Sequence, residues 1–368
     1  MLNETYRAML GHKSVIRETF MYGKQRAAEI GYENVFDYSL GNPSVPCPDE
    51  FTKAMQTLLT EEEPVALHGY CPSQGDPGFR TAVAAHLAKT FGLPYEQKDI
   101  FPTTGAAGAI AHAIRAVTKP GDEVLTFAPY FPEYGPYVEG TGAVLKVVPP
   151  QAPAFQPNLD AFEEMLTENV TCVLINTPNN PTGVVYSAET LSRLADILTE
   201  KSKAFGHNIF LVSDEPYRDI AFDGKKVPYP AAFYPHTLTC FSFSKSLSLP
   251  GERLGYVAVR PGCEGEDVLF GQLGEDDLEP GFLGPLEGDG EAEPGRKAHQ
   301  LLTGVGLVDV VAGAVGEGLL DEVAAVGGGV NGDVPGSAAH AALEDGFQGR
   351  KVVVVGREAQ IVDEEDEL

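Results

Sequence analysis

The sequence predicts an α/β fold, a mostly parallel sheet sandwiched by helices and joined to a smaller lobe. Three observations predict it. Short apolar runs rich in β-branched and aromatic residues recur through the middle of the chain, each ended by Pro, Ser or Asn. Amphipathic stretches of helical period lie between them. The runs are apolar at consecutive positions, as strands covered on both faces are, and alternation of such strands with helices favours parallel pairing.

In chain order the strand-like runs are "EVLTFAPYF" from Glu123, "AVLKVVPP" from Ala143, "TCVLINTP" from Thr171, "IFLVSDEPY" from Ile209, "TLTCFSFSK" from Thr237 and "LGYVAVRP" from Leu254. The helical candidates are "GFRTAVAAHLAKTF" from Gly78 and "AETLSRLADILTEKSKAF" from Ala188, and "TTGAAGAI" opens a further helix at Gly105. No internal repeat of fixed period is present.

Composition narrows the functional classes. A chain of 368 residues is long enough for more than one lobe. No apolar run approaches the roughly 18 residues needed to span a bilayer, and the start "MLNETYRAML" lacks the pattern of a secretory leader, so a soluble cytoplasmic protein without a membrane partner is expected. Cys47, Cys71, Cys172, Cys240 and Cys263 show no paired CxxC spacing, which argues against a disulfide framework or a metal site. A net charge of −27 argues against nucleic acid, whose binding needs clustered Lys and Arg.

That charge is concentrated. From Pro261 to Leu368 there are 24 acidic and 5 basic residues, a local net of −19 that leaves −8 for everything before it. The same stretch holds about half of the glycines, no tyrosine, and a predominance of Gly, Ala, Val, Asp and Glu, the residues whose codons all begin with G. The expected organisation is an N-terminal segment and part of a small lobe over 1–50, a large domain over 51–262, and an atypical segment over 263–368 that is frame-shifted or disordered.

In open parallel sheets ligands sit beyond the carboxyl ends of the strands. The residues that follow the apolar runs are "PYF" (Pro129 to Phe131), "TPNNPTG" (Thr177 to Gly183), "DEPY" (Asp214 to Tyr217) and "SFSK" (Ser242 to Lys245). Together they offer an aromatic face, amides in a tight turn, a carboxylate with a phenol, and an amine among hydroxyls. The helix start at Gly105 offers free N–H groups to an anion. A flat cationic heteroaromatic bearing a phosphate, a phenolic oxygen and an aldehyde fits this inventory.

With these motifs, and with "LGNPSVP", "HGYCPSQGDPGFR", "APYFPEY", "SDEPY" and "SFSKSLSLPGERLGY", the chain from about Tyr38 to about Arg260 resembles the class I/II, fold-type-I aminotransferases dependent on pyridoxal 5′-phosphate. Within them it is most similar to bacterial aspartate-aminotransferase-like members.

The resemblance implies a role for each position. Lys245 would be the amine that joins the cofactor aldehyde and moves the substrate proton, and Arg253 would lower its basicity while forking onto the phosphate. Asp214 would keep the ring nitrogen protonated, and Tyr217 and Asn180 would reach the phenolic oxygen. Phe131 would stack on the ring. Ser242 and the backbone of Gly105, Ala106 and Ala107 would complete the phosphate cup. Tyr70 would cross to the neighbour's phosphate, implying a homodimer with a shared site. Gly41 and Asn42, together with Asn180, would lie on the substrate side.

The implied reaction is transfer of an amino group from an L-amino acid, aspartate by overall likeness, to a 2-oxo acid. The family also carries a C-terminal arginine for the substrate carboxylate. Here the tail supplies Arg296, Arg350 and Arg357, none in the family's pattern, so a cofactor-binding but impaired chain is an alternative. A β-lyase or synthase on the same scaffold is another.

Overall fold

The computed structural model describes residues 15–266 and 269, together with the backbone of 350–355 and 358–363. The chain divides into two compact units, Met1–Pro43 with Val330–Leu368, and Ser44–Gly329. In the first, helix α1 (Val15–Ile30) is followed by an extended segment in which the Asn42 N–H donates to the Leu40 carbonyl at 2.7 Å. The sequence assignments for Arg296, Arg357 and most of 263–368 fall outside the described residues.

The second unit opens with α2 (Asp49–Glu61), α3 (Pro64–Leu67) and α4 (Pro77–Phe91). The bounds of α4 follow from local chemistry. The Asp76 carboxylate accepts N–H bonds from Gly78 and Phe79, Pro77 occupies the first turn where no N–H is needed, and Gly92 ends the helix at φ 72°. Strand β1 (Ile100–Thr103) leads into α5 (Gly105–Val117), and β2 (Glu123–Phe127), α6 (Tyr134–Glu139) and β3 (Val144–Val148) follow. Next come α7 (Leu159–Met165), β4 (Val170–Asn176) and α8 (Ala188–Phe205), the last capped by Ser187 and closed by Gly206 at φ 76°. The unit continues through β5 (Phe210–Asp214), β6 (Thr237–Ser242), α9 (Phe243–Ser246) and β7 (Gly255–Val259).

These strands form a seven-stranded sheet in the order β1-β7-β6-β5-β4-β2-β3. The pairs β2·β3, β2·β4, β4·β5 and β5·β6 are parallel, and β7 runs antiparallel to both β6 and β1. The sheet is therefore mostly parallel, as expected, with one reversed strand. Alternate residues feed opposite layers. Cys172, Leu174 and Val212 pack with Ala109, Ile110 and Ile114 of α5 on one face. On the other, Val173, Ile175 and Leu211 pack with Phe162 of α7 and Leu191, Leu194 and Leu198 of α8, while Phe241 and Tyr256 meet Phe79, Val83 and Leu87 of α4. Among the described residues, helices thus cover both faces of the sheet.

Strands β8 (Arg350–Val355) and β9 (Glu358–Asp363) pair antiparallel in the first unit. Among the described residues no helix is long and apolar enough to cross a membrane, and no cluster of three or more His, Cys, Asp or Glu could hold a metal ion. The five cysteines are free thiols.

Candidate active site

The register brings the sequence-predicted residues of the second unit to one edge. Asn176 pairs with Asp214, Asp214 with Cys240, and Ser242 and Thr103 both with Gly255. The carboxyl ends of β1, β4, β5 and β6 therefore align, and the reversed strand β7 starts among them. Arg253, just before β7, arrives at the edge where β6 delivers Lys245.

Asp214 is 5% exposed at the end of β5. Its Oδ2 accepts a bond from the Tyr134 hydroxyl at 2.6 Å, with Asn176 Nδ2 3.5 Å away, while Asn176 Nδ2 also donates to the Asp214 carbonyl at 2.9 Å. Oδ1 is buried without a hydrogen-bond partner. Burial pushes the carboxyl up to about 7, the Tyr134 bond pulls it down, and the charge of Glu215 adds to the rise. A carboxylate oxygen left unpaired in such a place is costly unless a donor or a cation meets it.

Lys245 lies half-buried in the single turn α9. Burial first, and Arg253 second, hold its ammonium below the ordinary lysine range. The turn is fixed by Ser242, whose Oγ accepts the Ser244 N–H at 3.1 Å, shares a 2.7 Å bond with Ser244 Oγ and donates to the Leu254 carbonyl at 3.3 Å. At 2% exposure, Ser242 works in this structure as the cap that orients the lysine-bearing turn.

Arg253 sits at φ 55°, left-handed backbone that costs an L-residue about 1–2 kcal/mol. Its Nη1 donates to the Pro250 carbonyl at 3.0 Å and its Nη2 to the Thr104 carbonyl at 3.4 Å. The guanidinium thereby reaches the start of α5, where Thr104 forms no side-chain cap and the first N–H groups point outward. Gly105, at φ 74°, holds left-handed backbone that favours glycine, and a Cβ there would stand 2.9 Å from the flexible end of the Arg253 side chain. Ala106 and Ala107 are half-buried on the same first turn. A guanidinium beside uncapped helical N–H groups is an anion cradle.

Burial, followed by the charge of Asp214, raises the Tyr217 phenol, and the neighbouring Asn180 side chain lowers it. The Asn180 N–H donates to Asn176 Oδ1 at 2.5 Å, tying its turn to the strand that flanks Asp214. An open groove of about 990 Å³ runs past both residues toward Lys225 and Lys226. Phe131 meets Tyr134 edge-on, with ring centroids 5.8 Å apart. Tyr70 is 93% exposed, turned to solvent in the single chain. Gly41 and Asn42 belong to the first unit.

Sequence reasoning missed Tyr134, although "APYFPEY" contains it. The signal was its position three residues after Phe131 at the start of a helix, which returns it to the same side of the chain. It also missed Thr104 and the buried Glu215–Arg218 ion pair behind Asp214.

Comparison with known proteins identifies the family. The family model for aminotransferase class I and II matches residues 33–271. A probable aspartate/prephenate aminotransferase of Aquifex aeolicus is 34% identical over 230 residues, covering 61% of this chain and 56% of that protein. A probable N-acetyl-LL-diaminopimelate aminotransferase of Bacillus subtilis is 31% identical over 227 residues, covering 61% and 55%. The chain thus spans a little over half the length of these curated relatives. The crystal structure of an amino transferase from Eubacterium rectale superposes with a TM-score of 0.72 at 45% identity, over 75% of this chain and 69% of that one. Thermus thermophilus aspartate aminotransferase with maleate shares the fold, with a TM-score of 0.69 at 22% identity over 88% and 76% of the two chains. With the family match running across the whole edge just described, the chain belongs to the class I and II aminotransferases, a family dependent on pyridoxal 5′-phosphate.

Proposed function

We propose that the chain transfers an amino group from an L-amino acid to a 2-oxo acid, with pyridoxal 5′-phosphate held at the carboxyl edge of the sheet. The observation that carries this reading is the buried, unpartnered Oδ1 of Asp214 on the same edge as an amine of lowered basicity and an anion cradle. Each fits one part of the cofactor. Asp214 would keep a proton on the ring nitrogen, Arg253 and the N–H groups of Gly105, Ala106 and Ala107 would hold the phosphate, and Tyr217 and Asn180 would face the phenolic oxygen. Phe131 supplies an apolar ring face. Ser242 orients the Lys245 turn and so stands one step behind the phosphate.

When bound, the cofactor supplies an aldehyde and an electron-withdrawing ring that weakens bonds at the substrate α-carbon. Lys245 contributes Nζ, which takes and returns the α-proton; its lowered basicity keeps more of it neutral near pH 7. Tyr70, exposed on its own chain, fits a homodimer in which it completes the partner's site. Aspartate is the proposed donor, because relatives named for aspartate and for diaminopimelate derivatives all take acidic or polyfunctional substrates by their names. A soluble, cytoplasmic setting suits these substrates.

A second reading has its own support. None of the three tail arginines lies in the family's carboxylate-binding pattern, so this chain would hold cofactor yet turn over slowly. The test is the purified full chain with pyridoxal phosphate, aspartate and 2-oxoglutarate. Visible absorbance of lysine-bound cofactor with slow keto-acid-dependent amino transfer is expected. Failure to take up cofactor refutes the site and brisk transamination refutes the impairment; in a parallel assay without 2-oxo acid, on cystathionine, whose β-carbon carries a thiol leaving group, release of homocysteine, pyruvate and ammonia makes the protein a lyase.

A further inference from the structure

A second charged pair lies behind Asp214, wholly inside the protein. Arg218 Nη1 donates to Glu215 Oε2 at 3.0 Å, with the two side chains 4% and 0% exposed. Glu215 follows Asp214 and Arg218 follows Tyr217, so the pair brackets Pro216 and Tyr217 and adjoins Asp214. The turn is closed by the Arg218 N–H donating to the Glu215 carbonyl at 3.3 Å and pinned to β6 by the Glu215 N–H donating to the Cys240 carbonyl at 2.8 Å. Successive residues leave a strand on opposite faces. Asp214 accordingly meets Tyr134, and Glu215 enters the layer beneath Phe241 and Tyr256.

There the guanidinium carbon of Arg218 stands 4.6 Å from the ring centroid of Phe241, 5.0 Å from that of Phe91 and 5.7 Å from that of Tyr229. A buried pair enclosed by aromatic rings is a poor way to gain stability, since apolar side chains would avoid the desolvation. Its position suggests a different use. We propose that Arg218 is a positioning residue of the cofactor site: it offsets part of the charge of Glu215, so that Asp214 can serve as the anion turned toward the ligand, and it holds the Asp214–Tyr217 turn against β6. This rests on reading the edge as a pyridoxal phosphate site.

The surroundings leave few other charges to do this. Asp214 is faced by Tyr134 and Tyr137 of α6, Cys240 of β6 and Tyr217 of its own turn, all raised by burial and hence neutral. The ion pair is faced by Tyr95, Tyr229 and Tyr256, also raised and neutral, and by Asp219, whose Oδ1 lies 3.4 Å from Arg218 Nε. The remaining acidic and basic side chains here are Asp214, Glu215, Arg218 and Asp219; burial raises the Glu215 carboxyl, and Arg218 pulls it down.

Opposite changes in this set should have opposite effects, which a merely structural role would not produce. The full chain and its Arg218→Met, Glu215→Gln and doubly substituted forms are titrated with pyridoxal phosphate by absorbance between about pH 6 and 9. Arg218→Met leaves Glu215 uncompensated and should move the acid limb of cofactor affinity to higher pH by at least about one unit, a tenfold loss on that limb. Glu215→Gln should move it to lower pH, and the double variant should return near the unaltered chain. If Arg218→Met does not fold, the Glu215→Gln shift and the double variant still decide. Absence of binding to the unaltered chain sinks the cofactor reading and this inference together. Binding with midpoints that stay put, or move in one direction for both single variants, overturns the role of Arg218 alone.

Discussion

Tyr134→Phe removes one hydroxyl and tests the electrostatics of the proposed site. That hydroxyl donates to Asp214 Oδ2 at 2.6 Å, and the nearest other donor to the same oxygen, Asn176 Nδ2, is at 3.5 Å. Hydrogen bonds to charged groups contribute about 1.5–3 kcal/mol, and one pK unit corresponds to about 1.4 kcal/mol. Loss of the bond should therefore lift the Asp214 carboxyl by about one to two units from its value of about 7. At pH 7.5 the ionised fraction then falls about three- to twenty-five-fold, and affinity for a cofactor whose ring proton requires that anion falls with it. The deficit should widen below pH 7 and close above about pH 10, where both proteins are ionised. The assay is the pyridoxal phosphate dissociation constant across this range, beside a thermal unfolding midpoint. A deficit independent of pH would mean that Tyr134 acts through packing, and equal affinities at every pH would refute the role given to the Asp214 anion.

Three further outcomes follow from the same geometry. Lys245→Ala should abolish the visible absorbance of lysine-bound cofactor and, after borohydride reduction, leave no cofactor label on the peptide containing residue 245; label on a different lysine would displace it from its role. Gly105→Ala places a Cβ 2.9 Å from Arg253 Nη2 at φ 74°. It should lower unfolding stability by about 1–2 kcal/mol and weaken pyridoxal phosphate far more than pyridoxal, and equal losses for the two would remove the phosphate from that cradle. The third outcome concerns apo-protein stability. The Asp214 carboxyl is raised in the fold from 3.8 to about 7, so the folded chain holds a proton that the unfolded chain has released. Its contribution is fully present below about pH 4 and is lost as pH rises toward 7, a change of about 4 kcal/mol. Denaturant titrations of the unaltered chain and Asp214→Asn should diverge across that window; parallel curves would contradict the raised carboxyl.

Much of the edge was legible because punctuation and chemistry coincide there. Asn176, Asp214 and Ser242 each close an apolar run, and the break in apolar pattern marks both the end of the strand and the start of the site. The helix at Gly105 was legible for a related reason, since small residues after a strand signal close backbone approach. Less legible were features that depend on residues far apart in sequence. Strand β1 is only four residues, "IFPT", and its proline hides it, being tolerated beside a strand that runs the other way at the sheet's edge. Tyr134 reaches Asp214 across 80 positions, and the cage around Arg218 draws on Phe91, Tyr229 and Phe241. No local pattern encodes such meetings.

The reversed strand ties these levels together. Lys245 follows β6, so it stands at the carboxyl edge of the parallel set. Had β7 also been parallel, the residues before it would have emerged at the opposite edge, a strand length of about 3.3 Å per residue away, and Arg253 could not have approached the start of α5. Antiparallel pairing lets the chain turn back at the same edge, with Ser242 and Thr103 both opposite Gly255. A Cβ on Gly255 would lie 2.4 Å from the Phe241 carbonyl oxygen and 2.8 Å from the backbone of Gly105. The absence of that one carbon lets the lysine-bearing and arginine-bearing segments close on the helix start together, so the pairing of an amine with a guanidinium eight residues on is a consequence of strand direction as much as of sequence spacing.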